Sequence, residues 1–233
     1  MKTLQVGILI PWVNTAMEEE IPSLVHSDIG LHWSRLRPGI LPKNGHDISY
    51  LEHMLLSIPN ALSRFDGLDL HVIVLGCTSA NFTGVCSDIE IPGAYRHVKF
   101  VTAFDAIVLQ IEKIKAKRLL LFAPYDRRTI DAEVGLLESY GVDVVKHVAL
   151  AYRDEIRFIT AEQIYDVFAR EYTECDAVLF SCTALYTLEA ISNIKRELFI
   201  KATLLSSNTA ISNTLNDFYK QYYPCKGEIV GYG

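Results

Sequence analysis

One strand-and-turn grammar is written twice in this sequence. "VIVLGCTSANFTG" (Val72 to Gly84) and "AVLFSCTALYTLEA" (Ala177 to Ala190) are each an apolar run that ends on a small residue, then Cys-Thr, then residues able to open a helix. Upstream of each stands an apolar strand stopped by Pro and an aromatic ring, "VGILIPW" (Val6 to Trp12) and "LLLFAPY" (Leu119 to Tyr125). Pro11 and Pro124 lie 113 residues apart, and Cys77 and Cys182 lie 105 apart. Similar offsets for two motifs in the same order imply two homologous halves in a chain of 233 residues.

Short apolar runs alternate with helical patterns from end to end. Strands are expected over Gln5–Ile10, Leu31–Leu36, Leu70–Leu75, Val98–Val101, Arg118–Phe122, Val142–Ala149, Ala177–Phe180 and Thr203–Leu205. Helices are expected over Ile48–Arg64, Ala103–Ala116, Thr129–Tyr140, Ala161–Glu171 and Asn208–Tyr222. This alternation predicts an α/β fold of two pseudo-symmetric halves, each a mainly parallel sheet flanked by helices, with the site in the cleft between them. The seam falls near Thr102, giving halves 1–102 and 103–207, with the C-terminal helix 208–233 completing the first. No Gly/Ser-rich linker separates them, so tight packing is expected. "RPGILPKNGHD" (Arg37 to Asp47) is the one long Gly/Pro-rich loop and is read as a lid.

Composition excludes several classes. A net charge of −6 and a pI near 5.6 leave no basic field, and the Lys and Arg residues form no stripe with interleaved aromatics, so nucleic acid is not an expected partner. No apolar run approaches the roughly 20 residues of a membrane span. The apolar N-terminal stretch is broken by Gln5, Gly7 and Pro11 and followed by Glu18, Glu19 and Glu20, and it reads as a buried strand rather than a signal peptide. Five cysteines, an odd number in no CxxC spacing, imply free thiols and a cytoplasmic location. The seven histidines make no HxxxH or HExxH pattern, so no metal is expected.

The duplicated cysteine has a chemical use. Two thiols at equivalent strand ends of two-fold related halves can face each other across one cleft, and a thiol can act as base on one face of a carbon and acid on the other. A helix N-terminus beside each would lower its pKa toward neutrality. Thr78, Ser79 and Thr183 add hydroxyl donors, and the turn N–H groups can hold a carboxylate or enolate. A lone Cys at a strand end is more often a small hydrophobe, but packing does not require Cys-Thr at both ends, so Cys77 and Cys182 are read as functional. Cys86, Cys175 and Cys225 have no counterpart in the repeat and are read as structural.

"CTSAN", "SCTAL" and the opening "GILIPWVNTAMEEEIP" together resemble the aspartate/glutamate racemase superfamily. Within it the likeness is to the maleate cis–trans isomerase and arylmalonate decarboxylase group, and it spans essentially the whole chain. The resemblance implies two pseudo-symmetric α/β halves, no cofactor and a site between the halves. It implies that Asn14 in "PWVNT" binds a substrate carboxylate, that Cys77 is a nucleophile and that Asn81 lines the pocket. Tyr125 in "APYDRRT" would hydrogen-bond substrate, Cys182 would be the second catalytic thiol, and Ser207 and Asn208 in "SSNTA" would form the last motif. Where the isomerases carry an Asn in a "DNEI"-like segment, "RDEI" puts Asp154, which would repel a dianion unless protonated or paired with Arg153 or Arg157.

Plain structural readings stand beside these. Asn14 could cap the helix at Ala16, Tyr125 could be a core ring with its hydroxyl at the surface, and Asn208 could cap the last helix. The expectation is a cofactor-independent isomerase of small carboxylates with Cys77 and Cys182 as the catalytic pair. An aspartate/glutamate or hydantoin racemase, an arylmalonate-type decarboxylase and a non-catalytic carboxylate-binding protein are the alternatives. The partner is a small-molecule carboxylate, and self-association as a homo-oligomer is open.

Overall fold

The computed structural model describes residues 3–37, 48–82, 91–150 and 156–224, apart from the side chains of 48–50. Asp154, Cys86, Cys225 and nearly all of the Gly/Pro-rich loop therefore lie outside the described residues.

All eight expected strands form. They are β1 (Leu4–Pro11), β2 (Ile29–Leu36), β3 (Val72–Leu75), β4 (Lys99–Thr102), β5 (Arg118–Ala123), β6 (Asp143–Ala149), β7 (Ala177–Phe180) and β8 (Thr203–Ser206). They build two four-stranded parallel sheets of identical topology, β2-β1-β3-β4 and β6-β5-β7-β8. Each central pair is buried along almost its whole length, which is why its strands read as continuous apolar runs rather than alternating ones. The repeat extends to single hydrogen bonds. Gly76 N donates to Leu9 O at 2.8 Å and Ser181 N donates to Phe122 O at 2.8 Å, each extending a ladder one step beyond its strand and directly before a repeat cysteine.

The helices are α1 (Ala16–Leu24), α2 (Ile48–Leu55), α3 (Ile58–Ser63), α4 (Ser79–Phe82), α5 (Ala103–Lys113), α6 (Arg127–Ser139), α7 (Ala161–Glu171), α8 (Leu188–Glu197) and α9 (Ser207–Tyr222). The expected helix Ile48–Arg64 is two. Ser57 Oγ donates to Met54 O at 2.6 Å, and Pro59 has no N–H to continue the ladder, so the chain breaks and restarts. α5 stops at Lys113 rather than Ala116, because Lys115 takes a left-handed φ of 57°. α6 starts at Arg127 rather than Thr129, where Asp126 accepts from Thr129 N at 2.8 Å as N-cap.

The two halves exchange their closing helices. Phe104, Ile107 and Ile111 of α5, which follows the first sheet, pack with Leu119, Leu121 and Leu179 of the second. Ile211, Leu215, Phe218 and Tyr219 of α9, which follows the second sheet, pack with Ile8, Val72 and Val74 of the first. α5 and α9 also pack on one another, where Gln110 Nε2 donates to Thr214 Oγ1 at 3.2 Å. At roughly 1.5–3 kcal/mol for each large apolar side chain fully buried, this exchange ties the halves into one cooperative body. Among the described residues no helix is long and apolar enough to cross a membrane.

Candidate active site

Parallel sheets expose side chains and turn amides at the carboxyl ends of their strands, and the repeat places matched groups there. Asn14 follows β1, Cys77 follows β3, Tyr125 follows β5, Cys182 follows β7 and Ser207 follows β8. Both thiols are free and nearly enclosed, Cys77 at 5% exposure and Cys182 at 7%. They sit in matching cradles. The Cys77 sulfur meets the N–H groups of Ser79 and Ala80 and lies 3.6 Å from Ser79 Oγ. The Cys182 sulfur meets the N–H of Ala184, likewise two residues on, and a hydrogen bond from the Tyr125 phenol.

Each cradle favours a thiolate, but burial outweighs it. The expected depression toward neutrality is overturned: desolvation pushes Cys77 above the ordinary thiol range and Cys182 up to about 12. The helical turns explain why. α4 is a single turn, and no helix begins after Cys182 until Leu188, so neither sulfur has the dipole of a long helix to offset its dry surroundings. The two sulfurs are close enough for Cys77 to raise Cys182 further by repulsion. Tyr125 is also held well above its ordinary value, first by burial and then by the charges Cys182 and Glu133 would carry. Its ring meets Phe82 of the first half edge-on at 5.8 Å. Cys182 adopts a φ of 97°, a conformation that costs a non-glycine residue on the order of 1–3 kcal/mol. Cys182 N donating to Ser207 Oγ at 3.0 Å helps to hold it there.

Several polar groups around the thiols fasten one half to the other. Asn14 Nδ2 donates to Thr183 Oγ1 at 3.1 Å, Thr183 Oγ1 donates to Gly76 O at 2.9 Å, and Thr78 Oγ1 donates to Ser207 Oγ at 3.1 Å. Asn14 Oδ1 also accepts from Met17 N at 3.2 Å, so this residue caps α1 and bridges the halves at once. Asn208 does not cap α9, since Ser206 does, accepting from Thr209 N. Asn208 Nδ2 instead donates to Glu20 Oε2 at 2.8 Å and Thr183 O at 3.2 Å. Asn81 and Asn208 each leave a buried side-chain oxygen without a partner.

Reading the sequence for cysteines missed two buried glutamates. Glu20 on α1 accepts from Thr187 N at 2.5 Å, Leu188 N at 2.9 Å, Thr187 Oγ1 at 3.3 Å and Asn208 Nδ2, pinning the start of α8 to the first half. Glu20→Ala leaves those donors buried without an acceptor. It is expected to cost about 2 kcal/mol, measured by urea unfolding. Glu133 on α6 is fully buried, and Ser181 Oγ donates to its Oε1 at 2.5 Å. Glu20 and Glu133 lie 113 residues apart, the same offset as Pro11 and Pro124, and that was the available signal. Among the described residues no group of three His, Cys, Asp or Glu could hold a metal ion.

No family model matches the chain. Among curated proteins it is 24% identical over 227 residues to the maleate isomerase of Nocardia farcinica, covering 88% of this chain and 86% of that one. It is 23% identical to the maleate isomerase of Geobacillus stearothermophilus, covering 98% of both. Among solved structures, a cysteine-to-serine variant of the Nocardia farcinica maleate cis–trans isomerase with a covalently bound succinylcysteine intermediate superposes with a TM-score of 0.80, at 22% identity over 93% of each chain. Arylmalonate decarboxylase superposes at 0.69, with 16% identity over 96% of this chain and 94% of that one. These likenesses support the resemblance to the aspartate/glutamate racemase superfamily. The chain is an isomerase enzyme, similar over most of its length to maleate isomerases, and it shares its fold with maleate isomerase and arylmalonate decarboxylase.

Proposed function

We propose that this protein is a cofactor-independent cis–trans isomerase of a small unsaturated dicarboxylate of the maleate kind, working through Cys77 and Cys182. The observation that supports the reading best is the matched pair of cradled thiols in mutual electrostatic reach. Binding alone has no use for two such thiols, whereas addition and elimination across a double bond needs a nucleophile and a proton donor.

In this reading the Cys77 thiol, neutral at rest, gives its proton to solvent as the substrate docks, and the thiolate, stabilised by Ser79 and Ala80 N–H, adds to one alkene carbon. The π electron pair moves to the neighbouring carbon, which takes a proton from Cys182. The former double bond is now single and rotates. Cys182 then recovers the proton, the C–S bond breaks with its electron pair returning to sulfur, and the trans isomer leaves. Asn14, Asn81 and Ser207 would orient the carboxylates, Asn208, whose Nδ2 is committed to Glu20 and Thr183 O, would support them from behind, and Tyr125 would hold the Cys182 sulfur while it changes charge. Asp154 would tune substrate choice by opposing a second substrate carboxylate.

The test is proton NMR in deuterated buffer against maleate, aspartate, glutamate, hydantoins and arylmalonates. Fumarate from maleate is expected, and α-proton exchange in an amino acid or loss of a carboxylate without maleate turnover would overturn the reading. Intact-mass analysis of Cys182→Ser with maleate should reveal an adduct on Cys77, as the Nocardia relative carries a succinylcysteine.

A further inference from the structure

The pseudo-symmetry of the fold gives Glu133 a reference. Its repeat mate Glu20 accepts hydrogen bonds on both oxygens, and those bonds hold the start of α8 and Asn208 in place. Glu133 has no such duty. It is 0% exposed, and among the described residues its Oε1 accepts from Ser181 Oγ alone and its buried Oε2 has no hydrogen-bond partner. Among the described residues no cation pairs with it. On its own helix Arg127 pairs with Asp131 at the surface and Arg128 is exposed, and on β6, which packs against α6, Lys146 pairs with Glu171 and His147 is half-buried. α4, which also packs on α6, carries no titratable side chain. Among the described residues the titratable groups on which its charge acts include Tyr125 and Cys182, both in the thiol cluster.

We infer that Glu133 is a positioning residue of this site: a carboxylic acid kept protonated by burial without a cation, which anchors Ser181 beneath the strained Cys182 and keeps the pocket free of negative charge for an anionic substrate. The inference rests on the proposal that Cys182 acts as the proton donor. Its logic is electrostatic. An isolated carboxylate in so dry a place is costly, so the group holds its proton, and burial raises its pKa to about 8. Four titratable groups then share one enclosed site without a formal charge in the neutral range. Once Glu133 ionises, its charge opposes both a substrate carboxylate and the Cys182 thiolate, as its effect on that thiol already indicates. The anchoring is equally direct. Ser181 is held at its N–H by Phe122 O and at its hydroxyl by Glu133, immediately before the residue whose φ is 97°.

The test compares the unmodified protein with Glu133→Gln, which keeps a neutral side chain of the same shape and an acceptor for Ser181. The kcat/KM for maleate should fall as pH rises through about 8, carried mainly by KM, and that fall should move up by at least about one pH unit in the variant. Two arms need no turnover. Infrared spectroscopy at neutral pH should find a protonated carboxyl stretch that Glu133→Gln removes, and Cys182 should be alkylated at least about threefold faster in the variant at alkaline pH. If maleate is not a substrate, the functional proposal fails while these two arms still decide the role of Glu133. An absent carboxylic-acid band, or an unchanged alkylation profile, would overturn it.

Discussion

Cys77→Ala and Cys182→Ala are each expected to lower turnover by at least about a hundredfold, since each removes one nucleophilic or acid–base group that no neighbour replaces. The double variant should be little worse than either alone, because the thiols act on one substrate as a unit. Folding should survive both changes, as each sulfur occupies a turn at a strand end rather than the centre of a sheet. Cys182→Gly supplies the control. Glycine accepts a φ of 97° without strain, so it should recover on the order of 1 kcal/mol relative to Cys182→Ala in urea unfolding while remaining as inactive. Proton NMR of turnover beside unfolding curves measures all of these. Near-normal activity in either alanine variant, on a substrate the unmodified protein converts, would reject the two-thiol mechanism.

What the sequence disclosed follows from which signals are local. A strand buried on both faces writes itself as an unbroken apolar run, and the central strands β1, β3, β5 and β7 were legible for that reason, while the partly exposed β2, β4 and β6 were legible as short β-rich runs between helical patterns. The carboxyl-end position of Cys77 and Cys182 followed from where those runs stop. The break between α2 and α3 was missed: Pro59 marks it, but the apolar periodicity on either side reads as one helix. Cradle electrostatics were not legible. A Cys followed by Thr looks the same before a long helix as before a single turn, and only the fold decides whether dipole or desolvation governs the thiol. The exchange of α5 and α9 was half visible, since a helix after the last strand must pack somewhere, while the reciprocal loan of α5 needs tertiary contacts to be seen. Glu20 and Glu133 look like ordinary surface charges of amphipathic helices, and only their shared repeat offset separates them from the rest.

The pH dependence of stability should bear the mark of Glu133. Its ordinary pKa is 4.5, and in the fold burial raises it to about 8, so the folded state favours the neutral form. Below about pH 4.5 both states hold the proton and the group contributes no penalty. Between about 4.5 and 8 the unfolded chain has released it and the folded one has not, so stability falls by about 1.4 kcal/mol for each pH unit gained. Above about 8 both states are ionised, and the loss levels off at on the order of 5 kcal/mol. Asp176, lowered by the N–H groups of Arg118 and Lys117, has the opposite sign: its contribution is lost as pH falls, in a window below the one Glu133 occupies. Glu133→Gln removes the titration and substitutes an amide that lacks a second partner, a cost of about 1–3 kcal/mol that does not vary with pH. Urea unfolding of both proteins across this range should therefore give curves that converge and then cross, the variant becoming the more stable as pH rises toward 8. Parallel curves would mean that Glu133 ionises in the fold as readily as in the open chain. With no cation paired to it among the described residues and one unpartnered oxygen, the carboxylate can do that only if water reaches it, and its zero exposure makes convergence the expected result.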